Sequence, residues 1–492
     1  MIEPATRAAP IAPIAPCGAN PHYFCWKGKP FLLITSDQHY GAVINRDFDY
    51  VAFLDAIAAY GMNFTRIYPG AYIEKDGDFV ADNNLGPRNG RQILPWARTR
   101  EPGAHEVLGG FKLDLDRWDE EYFQRLRDYI TQARERGIVV DVAFFNAMYR
   151  DRWAFQPLYH ANNVQGVGTC ESRYVQTLQD AALADRHEAY VRKITDGVAE
   201  FDNVLLDICD EPAVDGCPPE LYHPWLSRLI DAVIDVERPL AHKHVIVQTI
   251  EPYTAAVPKD GPGDFSADPR ITATAHEYCW GIRHLDTEYE HGKPMILIET
   301  NYYPSQYAGH ALDSSRVEAW EFIVGGGAAF MHLNALYSTF NAGARGTGNE
   351  AVLGQLRALR AFMEPFDLSV ARRDTALVAE GVPEGAFLRA LSEPGRRYAL
   401  YLHHSRYAGW IIKELGIGSC YEPVPGEYRE TLVLDLPPGT WQLSWVEPAT
   451  GATIREDRLT HAGGRLTVGT PAYRVDIALA IRRDGVEQRH GS

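Results

Sequence analysis

The sequence predicts a (β/α)8 barrel followed by a small antiparallel β-sandwich, and three observations carry that reading. Short apolar runs alternate with amphipathic helical stretches eight times between about residues 25 and 365. No Gly-rich phosphate fingerprint follows the first of these runs, which removes support for a doubly wound nucleotide-binding sheet. After residue 365 the texture changes to short strand-like segments parted by turn signals. The predicted organisation is an N-terminal extension over 1–24, a barrel over 25–365 and a sandwich over 366–492.

The predicted barrel strands are Phe31–Ser36, Asn63–Tyr68, Val139–Phe145, Asn203–Cys209, Val245–Thr249, Ile271–His276, Met295–Glu299 and Ala328–Leu333. Each is a short run rich in β-branched or large apolar residues, as strands buried on both faces require. Between them the apolar residues recur at helical spacing. In Asp49–Tyr60, Val51, Leu54 and Ala58 share a face and Gly61 stops the helix. Trp118–Arg136, Ala182–Glu200 and Ser315–Val324 read the same way. The C-terminal strands are "AFLRALSE", "RYALYLHHS", "ETLVLDL", "WQLSWVEP" and "RVDIALAIRR", separated by "PPGT", "ATGA" and "AGGR".

The chain has 492 residues, 46% hydrophobic and 23% charged, which suits a globular protein with a large core. A net charge of −17 argues against nucleic acid or an anionic membrane surface as partner. Seven cysteines scatter without a C-x-x-C pair, a pattern that reads as reduced thiols. The opening "MIEPATRAAPIAPIAPCGAN" lacks the apolar core of a signal peptide, and no run of about 18 apolar residues suggests a membrane span. These features predict a cytoplasmic protein, or a periplasmic or secreted one if a leader has been removed. A homo-oligomer is compatible with the sequence and not specified by it.

In a (β/α)8 barrel, polar residues at the C-terminal ends of the strands line the active-site mouth. That layer holds Asp37, Gln38 and His39 from strand one, Arg66 and Tyr68 from strand two and Asn146 from strand three. Strand four adds Asp210 and Glu211, strand five Glu251, strand six His276, Glu277 and Tyr278, and strand seven Glu299. His332 and Asn334 complete it, and Tyr149, Trp153, Tyr253, Trp280, Tyr302 and Tyr303 follow closely. Carboxylates, imidazoles and aromatic faces together suit sugar rings, which stack on aromatics and need dense hydrogen bonding. No cofactor or metal is called for. Two carboxylates can cleave a glycosidic bond, one donating a proton and the other attacking the anomeric carbon when they stand about 5–5.5 Å apart. Glu211 and Glu299 end strands that face each other across the mouth. Arg66 is placed to keep Glu299 ionised, while Glu211 has no neighbouring cation in sequence and is the better proton carrier.

These residues resemble the pattern of clan A of the glycoside hydrolases, the cellulase-like, family 5-like retaining enzymes. The resemblance rests on "NFTRIY" (Arg66), "DICDEP" (Glu211), "TAHEYCW" (His276, Tyr278) and "MILIET" (Glu299) in strand order, and on the opening "NPHYFCWKGKPFLLITSDQHYGA". It covers about residues 20–365. It implies Glu211 as acid/base, Glu299 as nucleophile, Arg66 supporting Glu299, Tyr278 beside the nucleophile and His276 on the substrate. Asn146, His39, Asp37, Trp153, Trp280 and Tyr302 are further expected substrate contacts, with an oligosaccharide or glycoside as the partner. Two departures stand out. The family places Asn before the acid/base, where its amide donates to the sugar 2-hydroxyl, and this chain has Asp210, which as a carboxylate accepts only. "AAFMHLNALY" lacks the tryptophan that cellulase-like enzymes often carry after strand eight.

Other residues invite competing readings. Glu251 in "VQTIEPY" also ends a strand in Glu-Pro, and Glu277 is expected to point away if His276 and Tyr278 face the cleft. His242, His244, His403 and His404 read as solvated or loop histidines rather than metal ligands. Two rival functions are a non-catalytic carbohydrate-binding barrel and a metal-dependent sugar-processing enzyme using Glu211, Glu251, His276 and Glu299.

Overall fold

The computed structural model describes residues 12–75, 77–78, 85–103, 105–212, 216–250, 265–277, 283–303, 311–407 and 421–486. Eight parallel strands form the barrel sheet: β1 (Leu33–Gln38), β2 (Phe64–Ile67), β3 (Val139–Ala143), β4 (Val204–Asp207), β5 (Val245–Ile250), β6 (Ala273–Glu277), β7 (Met295–Tyr303) and β8 (Ala329–Asn334). Their order is β1-β8-β7-β6-β5-β4-β3-β2, so consecutive strands from β2 to β8 pair and β8 returns to β1. Between the starts of β1 and β2 the barrel is stitched by Asn63. Asn63 Oδ1 accepts from Ile34 N at 2.8 Å, Asn63 Nδ2 donates to the Leu32 carbonyl at 2.8 Å, and Asn63 N donates to Ile34 O at 3.2 Å.

The helices are α1 (Tyr50–Ala58), α2 (Glu120–Glu135), α3 (Ala181–Val198), α4 (Pro219–Glu237), α5 (Arg283–Glu288), α6 (Ala311–Val324) and α7 (Asn349–Met363). Asp49, Asp119 and Asp180 cap the first three by accepting backbone N–H groups of the opening turn, which fixes where each begins. The eight predicted strands are all present, with ends shifted by at most four residues. A hairpin of Trp96–Pro102 and Phe111–Trp118 stands between β2 and α2, and the sequence reading had left that stretch unassigned.

Antiparallel strands follow α7. One sheet runs Arg372–Arg373, Ala386–Glu393, Arg397–Tyr407, Asp476–Arg483, Gly439–Val446 and Thr453–His461, with Tyr421–Pro423 paired to Arg397–Tyr407. A second holds Val378–Glu380, Thr431–Leu436 and Gly464–Gly469. Leu400, Leu402, Leu432, Leu434, Trp441, Trp445, Ile477 and Leu479 form a core separate from that of the barrel, so this is a sandwich domain. It docks on α6, where Trp320 stacks on Tyr401 at 5.5 Å and the buried Arg316 pairs with Asp476 at 2.9 Å.

Ahead of the barrel, Ala15–Cys17, Asn20–Trp26 and Lys29–Phe31 form a small antiparallel sheet. It brings Cys17 and Cys25 into a disulfide with Cα atoms 4.8 Å apart. This corrects the reading of all seven cysteines as reduced: spacing along the chain does not reveal a cross-strand approach within one hairpin. Cys170, Cys209 and Cys217 are free thiols. No helix among the described residues is long and apolar enough to cross a membrane.

Candidate active site

Arg66 is the centre of the barrel mouth, and its backbone is fixed first. Asp37 on β1 accepts from Arg66 N at 2.6 Å and from Thr65 Oγ1 at 2.8 Å, while Gln38 Nε2 donates to Arg66 O at 2.6 Å. The guanidinium, on a residue only 3% exposed, then meets five carboxylates from four strand ends. Nη2 donates to Asp207 Oδ2 at 3.0 Å and lies 2.9 Å from Asp210 Oδ1. Nη1 donates to Glu299 Oε1 at 3.2 Å and lies 3.9 Å from Glu277 Oε1, and Nε is 3.6 Å from Asp141 Oδ2.

One guanidinium faces many acids, and burial raises the pKa of the deeper ones. Burial pushes Asp37 up to about 7, against the hydrogen bonds from Arg66 N and Thr65. Burial likewise raises Asp207, with Arg66 opposing, and it raises Asp141 well above the carboxylate range. Desolvation pulls Arg66 down, but Asp210 and the other surrounding anions more than offset it, so the guanidinium stays charged.

Glu299 is turned into this site by its strand. The β7–β8 register jumps from Leu297↔Phe330 to Thr300↔His332, so two residues of β7 oppose one of β8. Glu299 sits in that bulge with φ 52°. Its Oε1 also accepts from the Tyr68 hydroxyl at 3.0 Å, and the same hydroxyl lies 2.5 Å from Asp210 Oδ2. Burial holds Tyr68 well above its ordinary pKa, so it remains a donor.

Glu211 follows β4 on a segment still gripped by both neighbours. Ile208 N donates to Val247 O at 3.0 Å and Asp210 N to Phe145 O at 2.9 Å. Glu211 has φ 46° and precedes Pro212. Its Oε2 accepts from the Tyr149 hydroxyl, and Tyr149 itself has φ 26°. Non-Gly residues rarely take positive φ, and each such residue costs on the order of 1–3 kcal/mol. Among the described residues, five do so, and three are Glu211, Glu299 and Tyr149. Tyr68, Tyr72 and Tyr149 form a band of rings between the two glutamates, with centroid spacings of 5.8 and 6.2 Å, and Tyr40 packs on Tyr68 at 6.1 Å. The tyrosines crowding the ends of strands one and two were the signal for this band, and Tyr40 and Tyr72 were missed.

The structure redistributes several expected roles. Asp210 is fully buried and engaged by Arg66 and Tyr68, so its carboxylate lies inward, beneath the position expected to meet a sugar hydroxyl. Asp37 braces β1 to β2 under Arg66. Glu277, expected to point away, is the β6 residue that reaches Arg66. His276 lies on the opposite face of that strand, 3.1 Å from Thr274 Oγ1. His39 bonds Glu74 at 2.9 Å, and the carbonyl of buried Asn146 accepts from Gln176 at 2.8 Å. Trp153 is buried and donates to Cys170 O at 2.9 Å, which makes it a loop-packing residue. His332 and Asn334 bond Ser36 at 2.9 Å each. Tyr278, Trp280, Glu251 and Tyr253 lie outside the described residues, as do the side chains of Tyr302 and Tyr303.

The metal set allowed from sequence is not assembled among the described residues. The acids that do converge are Asp210, Glu277 and Glu299, with one oxygen of each within 4.8 Å of the others. A cation could be held there, but Arg66 already supplies one. His244 bonds Glu237 and the Phe201 carbonyl, and His403 bonds Glu321 at 3.1 Å, so both are structural.

No family model and no curated protein sequence matches the chain. Solved structures do. One titled "Glycoside hydrolase" superposes with TM-score 0.60 at 11% identity, covering 97% of this chain and 98% of the other. A family 5 glycoside hydrolase from Bacteroides vulgatus ATCC 8482 gives 0.58 at 10% identity over 97% and 95%. A structure from the same organism described as "a putative glycoside hydrolase" gives 0.61 at 13% identity over 96% and 82%. The likeness is one of fold, and it spans barrel and sandwich together.

Proposed function

We propose that this chain is a retaining glycoside hydrolase, with Glu299 as nucleophile and Glu211 as acid/base. The observation that carries the reading is a pair of strained glutamates at opposed strand ends, one of which, Glu299, is gripped by Arg66 and Tyr68. Glu299 is held by a guanidinium and a phenol, which favours the anion. Glu211, at the opposed strand end, accepts from the Tyr149 hydroxyl. The strand order of the motifs and the fold shared with glycoside hydrolases support the same assignment.

In the first step Glu299 attacks the anomeric carbon, and the glycosidic C–O bond breaks as Glu211 gives its proton to the leaving oxygen. In the second, Glu211 takes a proton from water, whose oxygen displaces Glu299 from the glycosyl ester. Neither step asks for a metal or cofactor, and the substrate is a glycoside or oligosaccharide. The test is a panel of aryl glycosides with wild type and Glu299→Gly, with and without azide. The reading expects activity on at least one glycoside, loss in the variant, and rescue by azide giving a glycosyl azide of inverted configuration. Full activity in the variant without azide removes Glu299 as nucleophile.

A further inference from the structure

The Tyr68 hydroxyl has one proton and two carboxylate acceptors, Asp210 Oδ2 at 2.5 Å and Glu299 Oε1 at 3.0 Å. Arg66 is divided between the same two acids, with Nη2 2.9 Å from Asp210 and Nη1 3.2 Å from Glu299. Asp210 is fully buried, so solvent does not screen it. We propose that Asp210 is the positioning residue that takes over Arg66 and Tyr68 while Glu299 is esterified. The proposal rests on the reading of Glu299 as nucleophile.

The charge count gives the reason. When an electron pair of Glu299 forms the bond to the anomeric carbon, the carboxylate becomes a neutral ester. The electron pair of the broken glycosidic bond leaves with the oxygen that Glu211 protonates. Arg66, which is 3% exposed, then loses one of its closest anions, and an uncompensated buried charge is costly. Asp210 is already in contact with both donors. Tyr68 needs only to turn its O–H from one acceptor to the other, and Arg66 needs no displacement. An Asn at position 210 would hold neither donor with a charge. In the free enzyme the same carboxylate adds negative charge beside Glu299, which makes Glu299 more basic and a stronger nucleophile.

The groups facing Asp210 are Arg66 and Tyr68 from β2, Asp141 from β3, Asp207 from β4, Glu277 from β6 and Glu299 from β7. Of these, Glu277 is the farthest of the three converging acids from the guanidinium, at 3.9 Å. It is the poorest substitute for Asp210 in holding Arg66.

The experiment is Asp210→Asn, with Tyr68→Phe as a second variant that cuts the same link, each first checked for native circular dichroism. The probes are the active aryl glycoside and its 2-deoxy counterpart. Three outcomes are expected of Asp210→Asn: kcat/KM falls roughly tenfold or more, its acid limb moves to lower pH by about one unit, and KM rises more than kcat falls because the intermediate no longer accumulates. Tyr68→Phe is expected to move the acid limb as well. An acid limb that stays in place in both variants overturns the proposal. So does a loss in Asp210→Asn seen only with substrates bearing a 2-hydroxyl, which makes Asp210 a substrate contact. Failure of azide to rescue Glu299→Gly overturns the parent reading and this one with it. Rescue together with an unmoved acid limb overturns this one alone.

Discussion

Replacing Asp37 with Asn should stabilise the protein at alkaline pH, and the size of the effect follows from what Asp37 touches. Its two oxygens face Arg66 N and Thr65 Oγ1, and Thr65 Oγ1 also has Tyr129 OH at 3.0 Å. A neutral side chain can therefore accept from Arg66 N and donate to Thr65, which passes its own proton to Tyr129. Burial raises the carboxyl to about 7, above the unfolded value of about 3.9. An acid raised in this way destabilises the fold when ionised: the cost is fully present above the folded value and disappears below the unfolded one. By linkage it amounts to about 4 kcal/mol at pH 8.5 and about 1.5 kcal/mol at pH 5. Asn carries no such cost, so the stability difference between variant and wild type should shift by about 3 kcal/mol in favour of Asn between these pH values. Denaturant unfolding of both proteins at each pH measures it. A difference independent of pH, or a loss that deepens as pH rises, would refute the reasoning, because it would mean the Asp37 anion is needed to hold Arg66.

Other consequences are as direct. Tyr149→Phe removes the donor that favours the Glu211 anion, so kcat/KM should fall about tenfold and its basic limb should move to higher pH, both read from a pH–rate profile. Asn63→Ala loses two side-chain contacts and keeps one backbone bond, and a loss of about 2–3 kcal/mol in denaturant unfolding is expected from the orphaned Ile34 N and Leu32 carbonyl. Arg316→Met leaves Asp476 buried beside Tyr401, which should cost about 3–5 kcal/mol and loosen the sandwich from α6, seen as earlier proteolysis between the domains. Alkylation of the denatured, unreduced chain followed by peptide mapping should label Cys170, Cys209 and Cys217 and leave Cys17 and Cys25 unlabelled, and label on Cys17 or Cys25 would remove that bond.

Much of this was legible in the sequence because the barrel writes its order plainly. Buried parallel strands must be apolar on both faces, so each appears as a short run, and the polar residues at its C-terminal end mark the mouth. That rule found Arg66, Glu211 and Glu299. It did not reveal which way a strand-end residue faces. Glu277 and His276 are adjacent on β6, and the family pattern favoured His276, whereas the barrel interior receives Glu277. The bulge that turns Glu299 arises from pairing with β8, a contact no local pattern encodes. The same holds for Asp210. Its chemistry differs from the family's Asn, but only the positions of Arg66 and Tyr68, more than 140 residues away along the chain, show that it faces inward.

The most direct test of the assignment is to trap the intermediate. An activated 2-deoxy-2-fluoro glycoside of the sugar found active on the aryl panel should inactivate the enzyme with one label per chain, and peptide mapping should place that label on Glu299. A label on Glu277 or Glu211, or turnover with inverted product and no label, would contradict the account.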